Sequence, residues 1–185
     1  KRIDMEWCFD RIDPGLVMPD ENLYFPTNIG EYVKPWNDPG VRRRRVQGGQ
    51  GWTKHIAFDD PLKAEGKYAD RPPTPEEFAA LSTRVVDLHP VTIMQDAYHS
   101  NGGDMSEIPS QAVTVGMREI LSAEEVSIWH PGHHDGPFGV RLTALMISQG
   151  WVDARVPMSL LGLLDGEVVF SYLRPEIGPA GVDPH

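Results

Sequence analysis

The sequence predicts an α/β fold, with a mostly parallel sheet flanked by helices. Apolar and β-branched runs alternate with segments of helical spacing, and this alternation is typical of parallel strands joined by crossover helices. The composition agrees, because 40% hydrophobic and 24% charged residues are usual for a globular chain. A length of 185 residues fits one domain. We therefore expect a single domain over residues 1–185.

The N-terminal part of the chain predicts short elements separated by helix breakers. We expect a helix within residues 1–12, a strand at Leu23–Phe25 and a helix at Ile29–Trp36. Proline and glycine at positions 39 and 40 end that last helix, since both residues interrupt regular structure.

The rest of the chain carries the alternation itself. Thr74-Pro75-Glu76-Glu77 predicts a helix start, because threonine can cap the helix and glutamate three residues later can close a capping box. That helix should run to about Ser82. Apolar runs predict strands at Ala112–Val115, Val126–Trp129 and Glu167–Leu173 and helices at Met117–Leu121, Gly139–Ser148 and Val156–Leu164.

Charge and cysteine content exclude several classes of function. The net charge of −10 repels nucleic-acid phosphates and anionic lipids, so we expect no nucleic-acid partner. No apolar run approaches the roughly 18 residues of a membrane span, and the single cysteine, Cys8, cannot form an internal disulfide. We expect a cytoplasmic protein that acts on a small molecule, without a membrane partner.

Four successive arginines, Arg42–Arg45, interrupt this pattern ahead of a glycine-rich segment. Unpaired buried guanidinium groups are very costly, so these residues are not expected to form a dry central strand. A solvated charge run is the leading interpretation. An arginine patch that binds phosphate is the alternative with a function.

The segment Gly48–Pro61 predicts a functional site. It reads Gly-Gly-Gln-Gly-Trp-Thr-Lys-His-Ile-Ala-Phe-Asp-Asp-Pro, so flexible glycines precede a histidine and two carboxylates. Glycine lets the backbone approach a ligand closely, and histidine can exchange protons near neutral pH. A glycine-rich turn leading into a buried apolar segment is the alternative without a function.

This segment resembles the active-site motif of the glucosamine-6-phosphate deaminase (isomerase) family, Gly-x-Gly-x-Asp-Gly-His-Ile-Ala-Phe-Asn-Glu-Pro. Further stretches follow the family in the same order, at Thr83–Pro90, Thr92–Gln95, Ile108–Gly116 and Ile120–Val126. The resemblance runs from about Phe9 to about Tyr172. It implies a Rossmann-like fold that is partial relative to the full family fold, because the matched part lacks the family's N-terminal third.

The resemblance also implies an activity and a set of site residues. His55 and Asp60 match the histidine and carboxylate that open the sugar ring, and we expect both side chains to line one pocket with the backbone of Gly48–Gly51. The implied reaction is aldose-ketose isomerisation of an amino-sugar phosphate with release of ammonia. The remaining expected substrate contacts are Gly49, Gly51, Thr53, Lys54, Arg84 and Arg141. The family uses no metal and no cofactor, and a homo-oligomer is compatible with it.

Several departures from the family pattern put activity in doubt. Thr53 stands where the family has aspartate, and a hydroxyl cannot act as a carboxylate base. Lys54 replaces a glycine, and the family's phosphate-binding arginine falls at or near Tyr98-His99. Arg141 is the residue that could replace the family's phosphate-binding lysine. The enolising base lies before the matched part, so we expect the chain alone to be poorly active.

A histidine-rich loop, with His130, His133, His134 and Asp135, resembles metal-ligand chemistry, but its spacing matches no zinc motif. A polar loop near the site mouth is the leading interpretation. Two functions therefore remain from the sequence. One is a deaminase/isomerase, and the other is a non-catalytic or altered-specificity sugar-binding domain.

Overall fold

The computed structural model describes residues 38–130 and 136–172, with side chains described outside residues 130, 136–141 and 172. The N-terminal helix, the strand Leu23–Phe25 and the helix Ile29–Trp36 lie outside the described residues. The same holds for His133, His134 and Asp135 of the histidine-rich loop.

Five strands and four α-helices make up the described part. The strands are β1 (Arg45–Gly48), β2 (Arg84–Asp87), β3 (Gln111–Thr114), β4 (Glu125–His130) and β5 (Glu167–Tyr172). The helices are α1 (Pro75–Ala79), α2 (Pro90–Ser100), α3 (Met117–Ile120) and α4 (Gly136–Ser148), and short 3-10 helices lie at Gly66–Tyr68, Met105–Glu107 and Pro157–Leu163.

A parallel sheet forms the centre of the described fold. Its order is β1-β4-β5, with both pairs parallel, so the chain crosses over between neighbouring strands. Strands β2 and β3 form a separate antiparallel pair. The α/β class with a mostly parallel sheet and flanking helices is therefore confirmed.

The helix and strand positions agree with the sequence where local patterns are strong. Strands β3, β4 and β5 lie within a residue or so of the predicted runs, and the capping box at Thr74 and Glu77 is present. Helix α1 ends at Ala79, three residues short of the prediction. The predicted helix at Val156–Leu164 is instead a 3-10 helix, and β2 and α2 were not predicted from sequence patterns.

The hydrophobic core lies between the parallel sheet and the segments packed on it. Strand β4 contributes Val126 and Ile128, both fully buried, and α1 contributes Phe78. The core also includes Ile56 of the glycine-rich segment, so this segment is anchored in the protein interior. No helix in the described part is long and apolar enough to cross a membrane.

The arginine run lies on the surface beside β4, as expected. The side chains of Arg42, Arg44 and Arg45 are exposed, and only Arg45 belongs to strand β1. Arg42 pairs with Glu124, and Arg45 pairs with Glu125 at 2.8 Å. Exposed, acid-paired guanidinium groups avoid the cost of burial, and this confirms that the run is not a dry central strand.

Candidate functional site

The glycine-rich segment leaves the carboxyl end of β1 and forms a tightly anchored loop. The amide of Gly51 donates to the carbonyl of His55 at 3.1 Å, and the amide of Lys54 donates to the carbonyl of Gly51 at 2.9 Å. The amide of Trp52 donates to Gln95 on α2 at 2.7 Å. Ligands of open α/β sheets bind at the carboxyl ends of the strands, so the loop lies where a site is expected.

Glycine at position 51 is required by the ring of His55. A Cβ atom on residue 51 would overlap Nε2 and the neighbouring ring carbons of His55. The backbone of the next residues is also unusual, because Lys54 and Ala57 adopt φ values of 62° and 53°. Residues other than glycine rarely adopt such values. Two turns of uncommon geometry therefore hold His55 against Gly51.

His55 and Asp60 form a buried pair. The distance from His55 Nδ1 to Asp60 Oδ1 is 2.6 Å, and the two side chains are 7% and 8% exposed. When Nδ1 carries the proton that it donates to Asp60, Nε2 is left with a free lone pair. The carboxylate thus fixes the orientation of the ring and the tautomer that is needed for proton exchange at Nε2.

Asp60 receives more hydrogen bonds than the one from His55. The hydroxyl of Thr53 donates to Oδ1 at 2.5 Å, the hydroxyl of Thr92 donates to Oδ1 at 2.8 Å, and the amide of His89 donates to Oδ2 at 3.1 Å. Burial by itself would raise the pKa of Asp60, but the hydrogen bonds from His55, Thr53 and the His89 backbone outweigh it and lower the pKa to about 2. Asp60 is therefore ionised across the physiological pH range.

A cavity of about 570 Å³ lies beside this pair. Its volume falls in the range of small-molecule sites. The cavity is bounded by β1 and the loop that follows it, by α2 and by the end of β3. Its lining residues are Arg45–Gly51, His55–Phe58, Gln95, Asp96, Val115 and Ile120.

The structure brings only some of the predicted residues to this cavity. Gly49, Gly51 and His55 line it, whereas Asp60 does not. The expectation that His55 and Asp60 both line the pocket is therefore wrong for Asp60. Asp60 accepts its hydrogen bonds behind the imidazole, where it positions the ring.

The other predicted substrate contacts lie away from the cavity or outside the described side chains. Thr53 donates its hydroxyl to Asp60, and Lys54 Nζ donates to the carbonyl of Trp52 at 3.1 Å. Neither residue lines the cavity, and nor does Arg84. Arg141 lies in α4, at a position whose side chain is not described.

Arg84 lies instead beside Asp59, the neighbour of Asp60. Arg84 Nη1 is 2.9 Å from Asp59 Oδ1, but the angles are poor, and both carboxylate oxygens are buried without a hydrogen bond. Burial is the main cause that raises the pKa of Asp59 to about 7, against the opposing attraction of Arg84. This carboxyl group lies near the site without facing the cavity.

Sequence patterns missed several residues that the fold brings to the site. Gln50 is 6% exposed, and its buried Nε2 has no hydrogen-bond partner. Gln95 and Asp96 reach the cavity from α2, a helix that the sequence did not predict. The start of α2 could have been inferred from Pro90, because proline is favoured at the first position of a helix. The cap itself is His89, whose Nδ1 accepts from the Val91 amide.

Metal chemistry has no support from the described side chains. Within residues 38–130 and 136–172 no three His, Cys, Asp or Glu side chains form a group that could hold a metal ion. The metal-ligand interpretation of the histidine-rich loop stays a sequence hypothesis, since most of that loop is outside the described residues.

Comparison with curated proteins found glucosamine-6-phosphate deaminases. The chain is 34% identical to the protein from Caenorhabditis elegans over 87 residues, which are 47% of this chain and 27% of that protein. It is 31% identical to the protein from Mannheimia succiniciproducens over 136 residues, which are 68% of this chain and 42% of that protein. The chain thus spans less than half the length of these relatives, and no family model matches it.

Comparison with solved structures found the same fold. A monomeric glucosamine-6-phosphate deaminase of the NagB superfamily superposes with a TM-score of 0.52 at 22% identity, over 69% of this chain and 44% of that one. Sequence and structure agree on one relationship: the chain is a divergent homologue of the glucosamine-6-phosphate deaminases, and its described part has their fold.

Proposed function

We propose that the cavity binds glucosamine 6-phosphate, the amino-sugar phosphate for which these relatives are named, and that His55 and Asp60 open the sugar ring. Ring opening precedes an isomerisation that moves the carbonyl character from C1 to C2, and water then hydrolyses the C2 imine to a ketone and releases ammonia. The observation that carries the proposal is the buried His55–Asp60 pair at 2.6 Å, with His55 on the wall of a cavity large enough for a sugar phosphate.

Ring opening requires one proton to leave the anomeric hydroxyl and one proton to reach the ring oxygen. His55 Nε2 takes the proton from O1 as the bond between C1 and the ring oxygen breaks, and it then returns that proton to the ring oxygen. Asp60 stays ionised and stabilises the imidazolium that forms between the two steps, because its pKa is about 2. The open-chain aldehyde is the form that can isomerise.

The similarity to glucosamine-6-phosphate deaminases supports a proposed role in carbohydrate metabolism, and the proposed site of action is the cytoplasm. Small-molecule proton transfer at a cavity agrees with the net charge of −10, which disfavours polyanionic partners. An assembly of several copies is compatible with this proposal.

Ring opening can be tested apart from ammonia release. A protein that opens the ring accelerates the interconversion of α and β anomers, which NMR follows directly after a pure anomer of glucosamine 6-phosphate is dissolved. We expect His55→Asn to lower this acceleration by about 10²–10⁴-fold, the usual contribution of general acid-base catalysis. The matched control is His99→Asn, an exposed histidine that does not line the cavity.

A chain that gives no acceleration, or one that His55→Asn leaves unchanged, contradicts the proposal. Release of ammonia from the same samples measures the later steps. We expect this release to be slow relative to a family member with aspartate at the position of Thr53, because a hydroxyl cannot act as a carboxylate base.

A non-catalytic or altered-specificity sugar-binding domain is the second candidate. Thr53 favours this candidate, because it occupies the position of a family aspartate. Its hydroxyl donates a hydrogen bond to Asp60. This candidate predicts sugar binding by calorimetry without faster anomer exchange. The two measurements on one sample therefore separate the candidates.

A further inference from the structure

The wall of the cavity that faces α2 carries two polar groups with no assigned role. Asp96 lines the cavity and is half-buried, and its carboxylate forms no hydrogen bond or ion pair with the described residues. Gln50 lines the same cavity, and its Nε2 is buried without a partner. Buried polar groups are normally hydrogen-bonded, so an unpartnered amide in a cavity wall indicates a missing ligand group.

The orientation of Gln50 is fixed by its other end. Thr143 of α4 donates its hydroxyl to Gln50 Oε1 at 2.6 Å, which leaves the NH2 group as the unused part of the amide. The side chain therefore offers a donor, and Asp96 offers a negatively charged acceptor. Together they complement a ligand that carries a cation beside an oxygen atom.

We propose that Asp96 and Gln50 form an amine-recognition subsite, in which Asp96 binds the ammonium group of a 2-amino sugar and Gln50 donates to a neighbouring sugar oxygen. The inference rests on the proposed function, because it names the substrate class of the same cavity. It assigns selectivity for the free amine over the hydroxyl and the N-acetyl group at the same carbon.

The net rise in the pKa of Asp96 agrees with a carboxylate that has no positive partner within hydrogen-bond distance among the described residues. Burial raises the pKa of Asp96, the charges of His55 and His99 lower it, and the charge of Asp60 raises it. Among the described residues that line the cavity, Arg45 is the single lysine or arginine, and it is already paired with Glu125. A bound ammonium group would supply the positive partner that Asp96 lacks among the described side chains.

The test compares ligands that differ only at this amine. Calorimetric titrations at about pH 6, below the pKa of roughly 8 that is usual for an α-amino group, would use glucosamine 6-phosphate, glucose 6-phosphate and N-acetylglucosamine 6-phosphate. We expect the wild-type chain to prefer the amine about tenfold or more, as a charge-assisted hydrogen bond allows. Asp96→Asn should reduce this preference to less than about threefold.

A matched control removes one negative charge elsewhere. Glu76→Gln changes an exposed carboxylate on α1 that does not line the cavity, and it should keep the full preference. Equal binding of amine and hydroxyl ligands by the wild type, or an unchanged preference in Asp96→Asn, overturns the inference. Asp96→Ser provides a second variant if the first one fails to fold.

A smaller probe separates this inference from the proposed function. Ethanolamine carries an ammonium group beside a hydroxyl, and ethylene glycol has the hydroxyl alone. In NMR titrations we expect ethanolamine to shift the side-chain amide resonances of Gln50 and ethylene glycol to leave them in place, with the shift lost in Asp96→Asn. If the sugars fail to bind and this pattern holds, the proposed function is wrong and the subsite stands. If the pattern also fails, the subsite is overturned.

Discussion

Asp59 and Asp60 are neighbours in the chain, and both are buried, but their surroundings differ. Asp60 accepts hydrogen bonds from His55, Thr53, Thr92 and the His89 amide, and its pKa falls to about 2. Asp59 has Arg84 nearby without a well-formed hydrogen bond, and its pKa rises to about 7. Burial raises the pKa of both carboxyl groups, and the hydrogen bonds that Asp60 accepts reverse this effect at Asp60 alone.

This difference assigns different roles to the two residues. Asp60 is a charged group that orients an imidazole beside the cavity. Asp59 is fully buried behind the site, where a proton can be held near neutral pH. Substitution of Asp60 should therefore mainly lower activity, whereas substitution of Asp59 should mainly change the pH dependence of stability.

The largest expected effect separates the two carboxylates by activity. Asp60→Asn removes the charge that stabilises the imidazolium and offers His55 Nδ1 an amide in place of a carboxylate. We expect the acceleration of anomer exchange to fall by about 10²-fold or more. Asp59→Asn is the matched variant and should change it by less than about threefold. Similar losses in both variants would remove the distinction between a positioning carboxylate and a bystander.

The second effect separates them by the pH dependence of stability. The folded pKa of Asp59 is raised, from 3.8 to about 7, so the folded state keeps a proton that the unfolded chain releases. The free energy of unfolding should fall by roughly 2 to 4 kcal/mol as pH rises from about 4 to about 7, and it should level off above that. Asp59→Asn should remove this slope.

Urea denaturation at several pH values measures the slope, and the difference between the wild type and the variant isolates Asp59 from other titrating groups. The stabilising contribution of the Asp60 charge is complete above the ordinary pKa of 3.8 and is lost only as pH falls through about 2. Asp60 therefore adds nothing to the slope between pH 4 and 7. A slope that persists in Asp59→Asn would show that another group causes it.

The smallest expected effect tests the contact that places His55 beside Asp60. A Cβ atom at Gly51 would overlap the His55 ring, whereas a Cβ atom at Gly48 would meet no atom within 4 Å. We expect Gly51→Ala to lower the free energy of unfolding by about 1–3 kcal/mol, the usual cost of overpacking, and to slow anomer exchange. Gly48→Ala should be close to the wild type in its free energy of unfolding. Thermal unfolding of the two variants side by side measures the difference.

The sequence could predict those parts of the fold that local patterns determine. Strands β3 to β5 follow from apolar runs bounded by glycine or acidic residues, and the start of α1 follows from its capping box. The antiparallel pair of β2 and β3 could not be predicted in this way. Each of its strands has only four residues, and the two strands pair although the α2 segment separates them in the chain. Local residue spacing carries no information about such a pairing.

The same limit applies to the site. His55 and Asp60 lie five residues apart, so their pairing could be inferred from the motif and its family resemblance. Thr92 reaches Asp60 from 32 residues away, and Asp96 reaches the cavity through a helix that was not predicted. Such residues are selected by the path of the chain in space, and single-sequence patterns carry little information about it.

The parallel pairing of β1 with β4 also bears on how fast the site can form during folding. Arg45 and Glu125 are 80 residues apart, whereas Asp87 and Gln111 in the antiparallel pair are 24 residues apart. Closing the longer loop costs about 1 kcal/mol more in chain entropy, and non-local contacts slow folding. The β2–β3 pair can therefore assemble early, whereas the cavity wall formed by β1 is completed only when the two distant parts of the chain meet. A kinetic probe on Trp52, at the edge of this loop, would report the late event.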